Sequence, residues 1–294
     1  MKIIHLKYKE IDFDKYNNCV ENAYNTRIYA YSWYLDIVAN KNWEVLVLGD
    51  YQAVMPLPFK RVKSKLLKKM IVQPLFCQQL GVFSLTELLG NTLQNFIIEF
   101  KKFNIYTYNF NANNTSFIEN EQALIKKNNF ELHLKQEYFD IKKNYNKGLK
   151  SNINKSKKSG LAIKKGLDFS KFRKMKIENS FHKIKETDFK KMEALTQKII
   201  HNSKGNFYAV YKESELVSIS FFIKTQKRII YLLSSANAIG KKTGATSFLL
   251  NSMIKKNSEK DMIFDFEGAM IDGLAKFFKS FGAKNNEYLE YNNL

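Results

Sequence analysis

Arginine is nearly missing from this chain: 4 residues against 44 lysines, in 294 residues with a formal net charge of +20. A charge that large invites a polyanion, yet the planar guanidinium fork that phosphate and guanine readers favour is scarce. Proline stands at only 3 while asparagine reaches 30. Lysine and asparagine rising together read as coding bias over a solvated surface, leaving RNA or DNA only a non-specific attraction. Cysteine is down to 2, Cys19 and Cys77, with no Cys-x-x-Cys or Cys/His spacing. That argues against a disulfide scaffold and suits a reducing cytoplasm. The 4 histidines (His5, His133, His182, His201) stand apart. They suggest no metal site and no Ser-His-Asp or Cys-His arrangement. No apolar run approaches the ~18–20 residues that cross a bilayer. The segment MKIIHLKYKEIDFDKY breaks into charge too early for a secretory core. A cytoplasmic location is expected.

What is present is ample apolar material: 45% hydrophobic residues, with 24 Phe and 16 Tyr. It is arranged twice in the same order. In the first half, residues 29–40 carry apolar side chains at helical spacing, and 43–60 reads as two strands around Gly49-Asp50. After a basic stretch come a strand at 69–76, a helix at about 85–102, a strand at 105–110, a helix near 118–128 and a strand at 130–141. In the second half, 186–202 reads as an amphipathic helix and 205–225 as a hairpin around Glu213-Ser214. A strand at 227–236, a helix at 243–258, a strand at 261–268, a helix at 269–281 ended by Gly282 and a strand at 286–291 follow. From the hairpin turn to the strand beyond the long helix is 56 residues (Asp50 to Tyr106), then 50 (Glu213 to Ile263). Matching order at matching spacing predicts a duplicated α+β domain, divided as 1–141 and 142–294.

Between the halves, NYNKGLKSNINKSKKSGLAIKK places Tyr145, Leu149, Ile153 and Ser156 on one helical seam. Lys143, Lys147, Lys150, Lys157 and Lys158 fall mostly opposite, and Gly160 can stop the helix. Either this is a solvated helix, or Lys147 and Lys150 meet an anionic substrate.

Three stretches carry a family resemblance. SWYLDIV with WEVLVLGDYQAVMPLPFKR and VQPLFCQQLGVFS resembles the first half of a bacterial group in the GNAT superfamily. NYNKGLKSNINKSKKSGL resembles the helix that opens the second domain of Fem-type peptidoglycan aminoacyltransferases. FDFEGAMIDGLAKFFKSFGAK is similar to that family's closing strand–helix block. The resemblance implies two tandem GNAT-like domains, each a mixed, mainly antiparallel sheet flanked by helices. It implies transfer of an acyl or aminoacyl group to an amine, such as a small molecule or a cell-wall precursor. The donor would be a co-substrate (acyl-CoA, an acyl carrier protein or aminoacyl-tRNA), with no tightly bound cofactor. Two other classes stay open: a GNAT-like binding protein without catalysis, and a basic RNA-associated protein.

The donor loop departs from the CoA pattern, which has Arg or Gln ahead of its glycines. Here it reads ANAIGKKTGATS, and it is no Walker loop either. Gly240, Lys241, Lys242, Thr243, Gly244 and Ala245 are still candidates to hold an anion before a helix. Asp265 and Glu267 lie two apart on one strand, so both are expected on one face, where they would raise each other's pKa as a general base requires. By resemblance, Lys279 of FK-x-FG sits at the donor–acceptor junction and stabilises the oxyanion, with Phe278 packing beside it. Trp33, Tyr34, Gln73, Gln78 and Gln79 cluster around Pro74 as candidates for lining an acceptor cleft.

Overall fold

A computed structural model describes residues 2–61, 69–88, 90–117, 123–180, 182–268 and 270–293. The first half runs β1 (Ile3–Leu6), α1 (Phe13–Asn22), α2 (Ser32–Val38), β2 (Trp43–Leu48), β3 (Ala53–Arg61), β4 (Lys69–Val72), β5 (Phe83–Ser84), α3 (Gly90–Phe100), β6 (Ile105–Phe110) and β7 (Leu124–Lys127). Then follow β8 (Asn129–His133), α4 (Tyr138–Lys143), α5 (Lys147–Lys158), β9 (Leu161–Lys165), α6 (Phe169–Asn179) and α7 (Glu186–His201). The chain closes with β10 (Gly205–Lys212), β11 (Glu215–Lys224), β12 (Arg228–Ala236), α8 (Ala238–Thr243), α9 (Ala245–Asn257), β13 (Ile263–Gly268), α10 (Asp272–Lys279), β14 (Lys284–Asn285) and β15 (Tyr288–Asn292).

These strands make two sheets. One has the order β1-β2-β3-β4-β6-β15-β7, with β5 beside β3; the other runs β14-β8-β13-β12-β11-β10-β9. Read from β1 and from β9, both show three antiparallel pairs, one parallel pair (β4/β6 and β12/β13) and two more antiparallel pairs. The same order of relations in both sheets is the duplication that the spacing predicts.

The division differs from the expected one. Unit 1 is Met1–Asn128 with Glu287–Leu294, and unit 2 is Asn129–Asn286. The expected boundary at 141 fails because β8, which follows unit 1 in sequence, pairs with β13 and β14 of the second sheet. Strand β15, at the end of the chain, pairs instead with β6 and β7 of the first. Each sheet thus takes its sixth strand from outside its own half, a partner that local pattern cannot reveal. Residues 118–122 of the expected helix near 118–128, and residues 62–68 of the basic stretch, lie outside the described residues. Leu124–Lys127 is strand rather than helix, drawn into the ladder by Tyr288–Tyr291.

Other differences are local. The expected strand 130–141 stops at His133, and α4 follows with Ile141 buried. The helix at 243–258 breaks at Gly244, whose left-handed backbone (φ +71°) separates α8 from α9. Strand β4 ends at Val72 rather than at 76, and α10 begins at Asp272. The linker helix forms as expected: Asn146 accepts a hydrogen bond from the Leu149 N–H at 2.7 Å, and Leu149, Ile153 and Ser156 face inward.

Helices pack against both sheets. In unit 1, β2 is buried along its whole length, and Trp43 lies among Tyr8, Phe13 and Tyr16. In unit 2, Phe130, Phe222, Phe264 and Phe266 share one core with Leu149 and Ile153 of α5 and Leu249 and Leu250 of α9. That core holds α9 and α10 against the end of β13.

Deleting Glu287–Leu294 should remove β15 from between β6 and β7 and leave both with unpaired edges. Hydrogen exchange read by mass spectrometry is expected to lose protection at 105–110 and 124–127, while the β10–β11 hairpin keeps it. Unchanged protection at 105–110 would refute the pairing.

Candidate functional site

The parallel strands β12 and β13 pair at only three positions: Arg228 with Ile263, Ile229 with Phe264 and Ile230 with Asp265. Beyond them β12 continues along β11 as far as Ala236, while Gly268 of β13 aligns with Asn129 of β8. A cavity of about 520 Å³ opens where the two strands diverge. Tyr231–Ser234 line one wall, Phe266–Gly268 the other, and Phe277 and Phe278 of α10 add aromatic surface. Phe278 is buried and stacks on Phe266 with ring centroids 4.9 Å apart.

Part of the donor loop reaches the same cavity. Gly240, Lys241 and Gly244 line it; Lys242, Thr243 and Ala245 do not. Residues 238–243 coil into α8, so the Gly240 N–H donates to Asn237 Oδ1 at 2.8 Å and the Lys241 N–H to Asn237 O at 3.0 Å. The Thr243 hydroxyl turns back to the Ile239 carbonyl at 2.8 Å, and Ala245 is fully buried. Gly240 is required by close approach to backbone and Gly244 by its left-handed conformation. A Cβ on Gly240 would lie 2.0 Å from the Val217 carbonyl oxygen, and one on Gly244 would lie 2.3 Å from Asn152 Oδ1. Helix α9 starts here, with Thr246 and Ser247 on the cavity wall. The first N–H groups of a helix have no intrahelical acceptor, so the positive end of α9 faces this space.

The acidic pair divides. Instead of alternating as in a regular strand, β13 bulges after Asp265, and Glu267 takes a left-handed backbone (φ +60°). Glu267 therefore turns into the cavity. Asp265 is 1% exposed and lies in an ion-pair cluster. Arg228 Nη1 contacts Asp265 Oδ2 at 2.9 Å and Glu131 Oε1 at 2.6 Å. The other Asp265 oxygen accepts the Glu267 N–H at 2.9 Å. The two carboxylates do not share one face as expected; Asp265 holds the bulge that aims Glu267.

The remaining candidates lie elsewhere. Lys279 is exposed at the end of α10, its Nζ 5.6 Å from the Phe130 ring centroid, and does not line the cavity. Lys147 is exposed, and Lys150 Nζ donates to the Lys143 carbonyl at 2.8 Å. Trp33, Tyr34, Gln73, Gln78 and Gln79 all belong to unit 1, around the counterpart of the same strand divergence. There β4 and β6 pair at Ile71–Ile105 and Val72–Thr107, and the following loop stays on β6. The Asn109 N–H donates to Gln73 Oε1 at 3.0 Å, Asn109 Nδ2 to the Gln78 carbonyl at 2.7 Å, and the Ala112 N–H to Gln79 Oε1 at 3.0 Å. Tyr34 donates its hydroxyl to the Phe76 carbonyl, and Trp33 is half-buried beside it. In unit 1 the divergence is filled by the chain itself.

No protein-family model and no curated protein matches the sequence. Solved structures do match. FemX superposes with a TM-score of 0.69 at 12% identity, covering 99% of this chain and 97% of its own. The chain has the FemX fold. L-PGS from Bacillus licheniformis gives a TM-score of 0.56 at 12% identity, over 95% of this chain and 91% of that one. The C-terminal domain of a putative lysylphosphatidylglycerol synthetase from Agrobacterium fabrum gives 0.51 at 10% identity, over 96% and 92%. With near-complete coverage on both sides, the FemX fold accounts for both units and both sheets.

Within that fold the sequence offered no sign of Lys176. It lies on α6, whose core residues Phe169, Phe172 and Met175 face inward, and it lines the cavity from the side of β12. Asn152 of α5 was equally unmarked; it reaches Ser247 Oγ at 3.3 Å beneath Gly244. Both become visible only once α5 and α6 are packed.

If Arg228 neutralises Glu131 and Asp265, Arg228→Met should leave two buried carboxylates uncompensated and cost about 3–5 kcal/mol in urea unfolding. A loss below about 1 kcal/mol would mean that the cluster is not held by this ion pair.

Proposed function

We propose that the chain is an N-acyltransferase or aminoacyltransferase whose reaction centre is the cavity of unit 2. The observation that carries this reading is the open divergence of β12 and β13, with Glu267 and the positive end of α9 on its walls. Diverging strands offer backbone groups that can hydrogen-bond an extended acyl carrier, and a helix start suits its anionic end. The likeness to FemX and to a putative lysylphosphatidylglycerol synthetase, a name that speaks of a lysyl group, supports an aminoacyl cargo.

In the proposed reaction an acceptor amine attacks the donor carbonyl. The new C–N bond forms as the bond to the carrier oxygen or sulfur breaks, and the amine proton passes to Glu267 and on to the leaving group. No covalent intermediate with the protein is needed. Asp265 acts through Glu267 by fixing its backbone. Lys279, outside the cavity, keeps a role at the end of α10, where a cation complements the helix dipole.

The donor is proposed to be an aminoacyl carrier or an acyl carrier protein rather than free acyl-CoA. A pyrophosphate cradle needs outward N–H groups, and α8 spends those of Gly240 and Lys241 on Asn237. Acetyl-CoA is expected to bind with a Kd above about 100 µM, that is, with less than about 5.5 kcal/mol, by calorimetry. A low-micromolar value would reverse the choice of donor.

Turnover with a panel of acyl carrier proteins, acyl-CoAs and aminoacyl-tRNAs against small amines and cell-wall precursors tests the reaction itself. With the active pair in hand, Glu267→Gln should lower kcat by about 10²–10⁴ and leave KM and the melting temperature nearly unchanged. Full activity in that variant would remove Glu267 from the mechanism. No turnover with any pair, together with binding of one, would favour a binding protein.

A further inference from the structure

Lys176 is the cavity's unexplained charge. Its stem leaves α6 beside β12, and its Nζ donates to the Ser234 carbonyl at 3.2 Å. It is half-buried and forms no ion pair with any described residue. Desolvation within the protein lowers its pKa. The other titratable groups on the cavity wall are Glu267, Tyr231 and Lys241. The Ser234 carbonyl satisfies one of the three ammonium donors, and Lys176 borders the cavity together with Tyr231, Leu233 and Ser234. The rest of α6 does not need a cation there: Lys171 and Lys174 are exposed on its outer side, and Arg173 pairs with Glu186 at 2.7 Å. A charge drawn out of water with only a neutral partner is a cost in the free protein, and an arriving anion removes that cost.

We propose that Lys176 is the anion-recognition residue of the cavity, reading a carboxylate or phosphate on a substrate. This rests on the acyl-transfer reading of the same site and narrows it: the substrate that reaches β12 is anionic on the Lys176 side. The anion can belong to the acyl group or acceptor, as a carboxylate, or to the donor, as a phosphate. Glu267 on the β13 wall and Lys176 on the β12 wall then play different parts in one cavity, proton transfer for the first and selection for the second.

The test needs no turnover. The full chain is labelled at neutral pH with a trace of isotopic acetic anhydride, and acetylation of Lys176 and of the exposed Lys147 is read by mass spectrometry. The labelling is repeated with succinate, with inorganic pyrophosphate and with sodium chloride at matched ionic strength. Saturating anion should slow labelling of Lys176 by about tenfold and leave Lys147 unchanged. Protection by succinate alone puts the anion on the acyl group or acceptor; protection by pyrophosphate alone puts it on the donor. Equal protection by sodium chloride, or none by either anion, overturns the proposal. Lys176→Gln provides a second readout: it should melt higher than wild type in the absence of anions and lose the anion-induced shift. A shift retained in that variant also overturns it. A protein that shows protection yet transfers no acyl group would retain the anion site and lose only the enzymatic reading.

Discussion

A β-strand that parts from its neighbour leaves a row of backbone N–H and C=O groups that must find other partners. The structure meets this constraint twice and solves it in two ways. In unit 1, the loop after β4 stays on β6, and the side chains of Gln73 and Gln79 accept N–H bonds beyond the end of the strand ladder. In unit 2, β12 and β13 separate around a cavity, and its walls carry a helix start, a carboxylate and an ammonium group. One copy of the duplicated unit is sealed by its own sequence, and the other leaves a cavity open. That asymmetry is the reason we propose unit 2 as the reaction centre, without any appeal to which residues look reactive.

The carboxylate on that wall is held in an unfavourable conformation. A non-glycine residue with positive φ costs about 1–2 kcal/mol unless its surroundings determine it. Here they do, through a relay that begins at Glu131, passes through Arg228 to Asp265 and ends on the Glu267 N–H. The two acids of the FDFEG segment are therefore neither equivalent nor interchangeable. One is buried structure, and the other is presented to the cavity at the expense of backbone comfort.

Much of this was legible in the sequence. Periodicity gave both hairpins, the linker helix with its Leu149–Ile153–Ser156 seam and the order of the second unit, because these depend on contacts between near neighbours. Gly240, Gly244, Glu267 and Phe278 were marked by spacing or by resemblance, and they do meet in one cavity. Other features were beyond its reach. The strand identity of Leu124–Lys127 depends on Tyr288–Tyr291, more than a hundred residues away. The face of Asp265 depends on a bulge that period-two counting cannot foresee. The three glutamines of the QPLFCQQLG loop looked like ligands because amides outside secondary structure often are. At least Gln73 and Gln79 are spent on the backbone instead.

The exchange of β8 and β15 bears on how the chain is made. As synthesis proceeds, residues 1–128 leave the ribosome as a sheet without its sixth strand, with β6 and β7 not yet joined. Strand β8 emerges next but must wait for β13, about 130 residues later, before it has a partner. Neither sheet is complete until residues 284–292 have been made, and the strand that completes the sheet of unit 1 is made after all of unit 2. Such long-range closure is slow and leaves strand edges open meanwhile. A stop just before Tyr288 would therefore leave the sheet of unit 1, made long before, without the strand that joins β6 to β7.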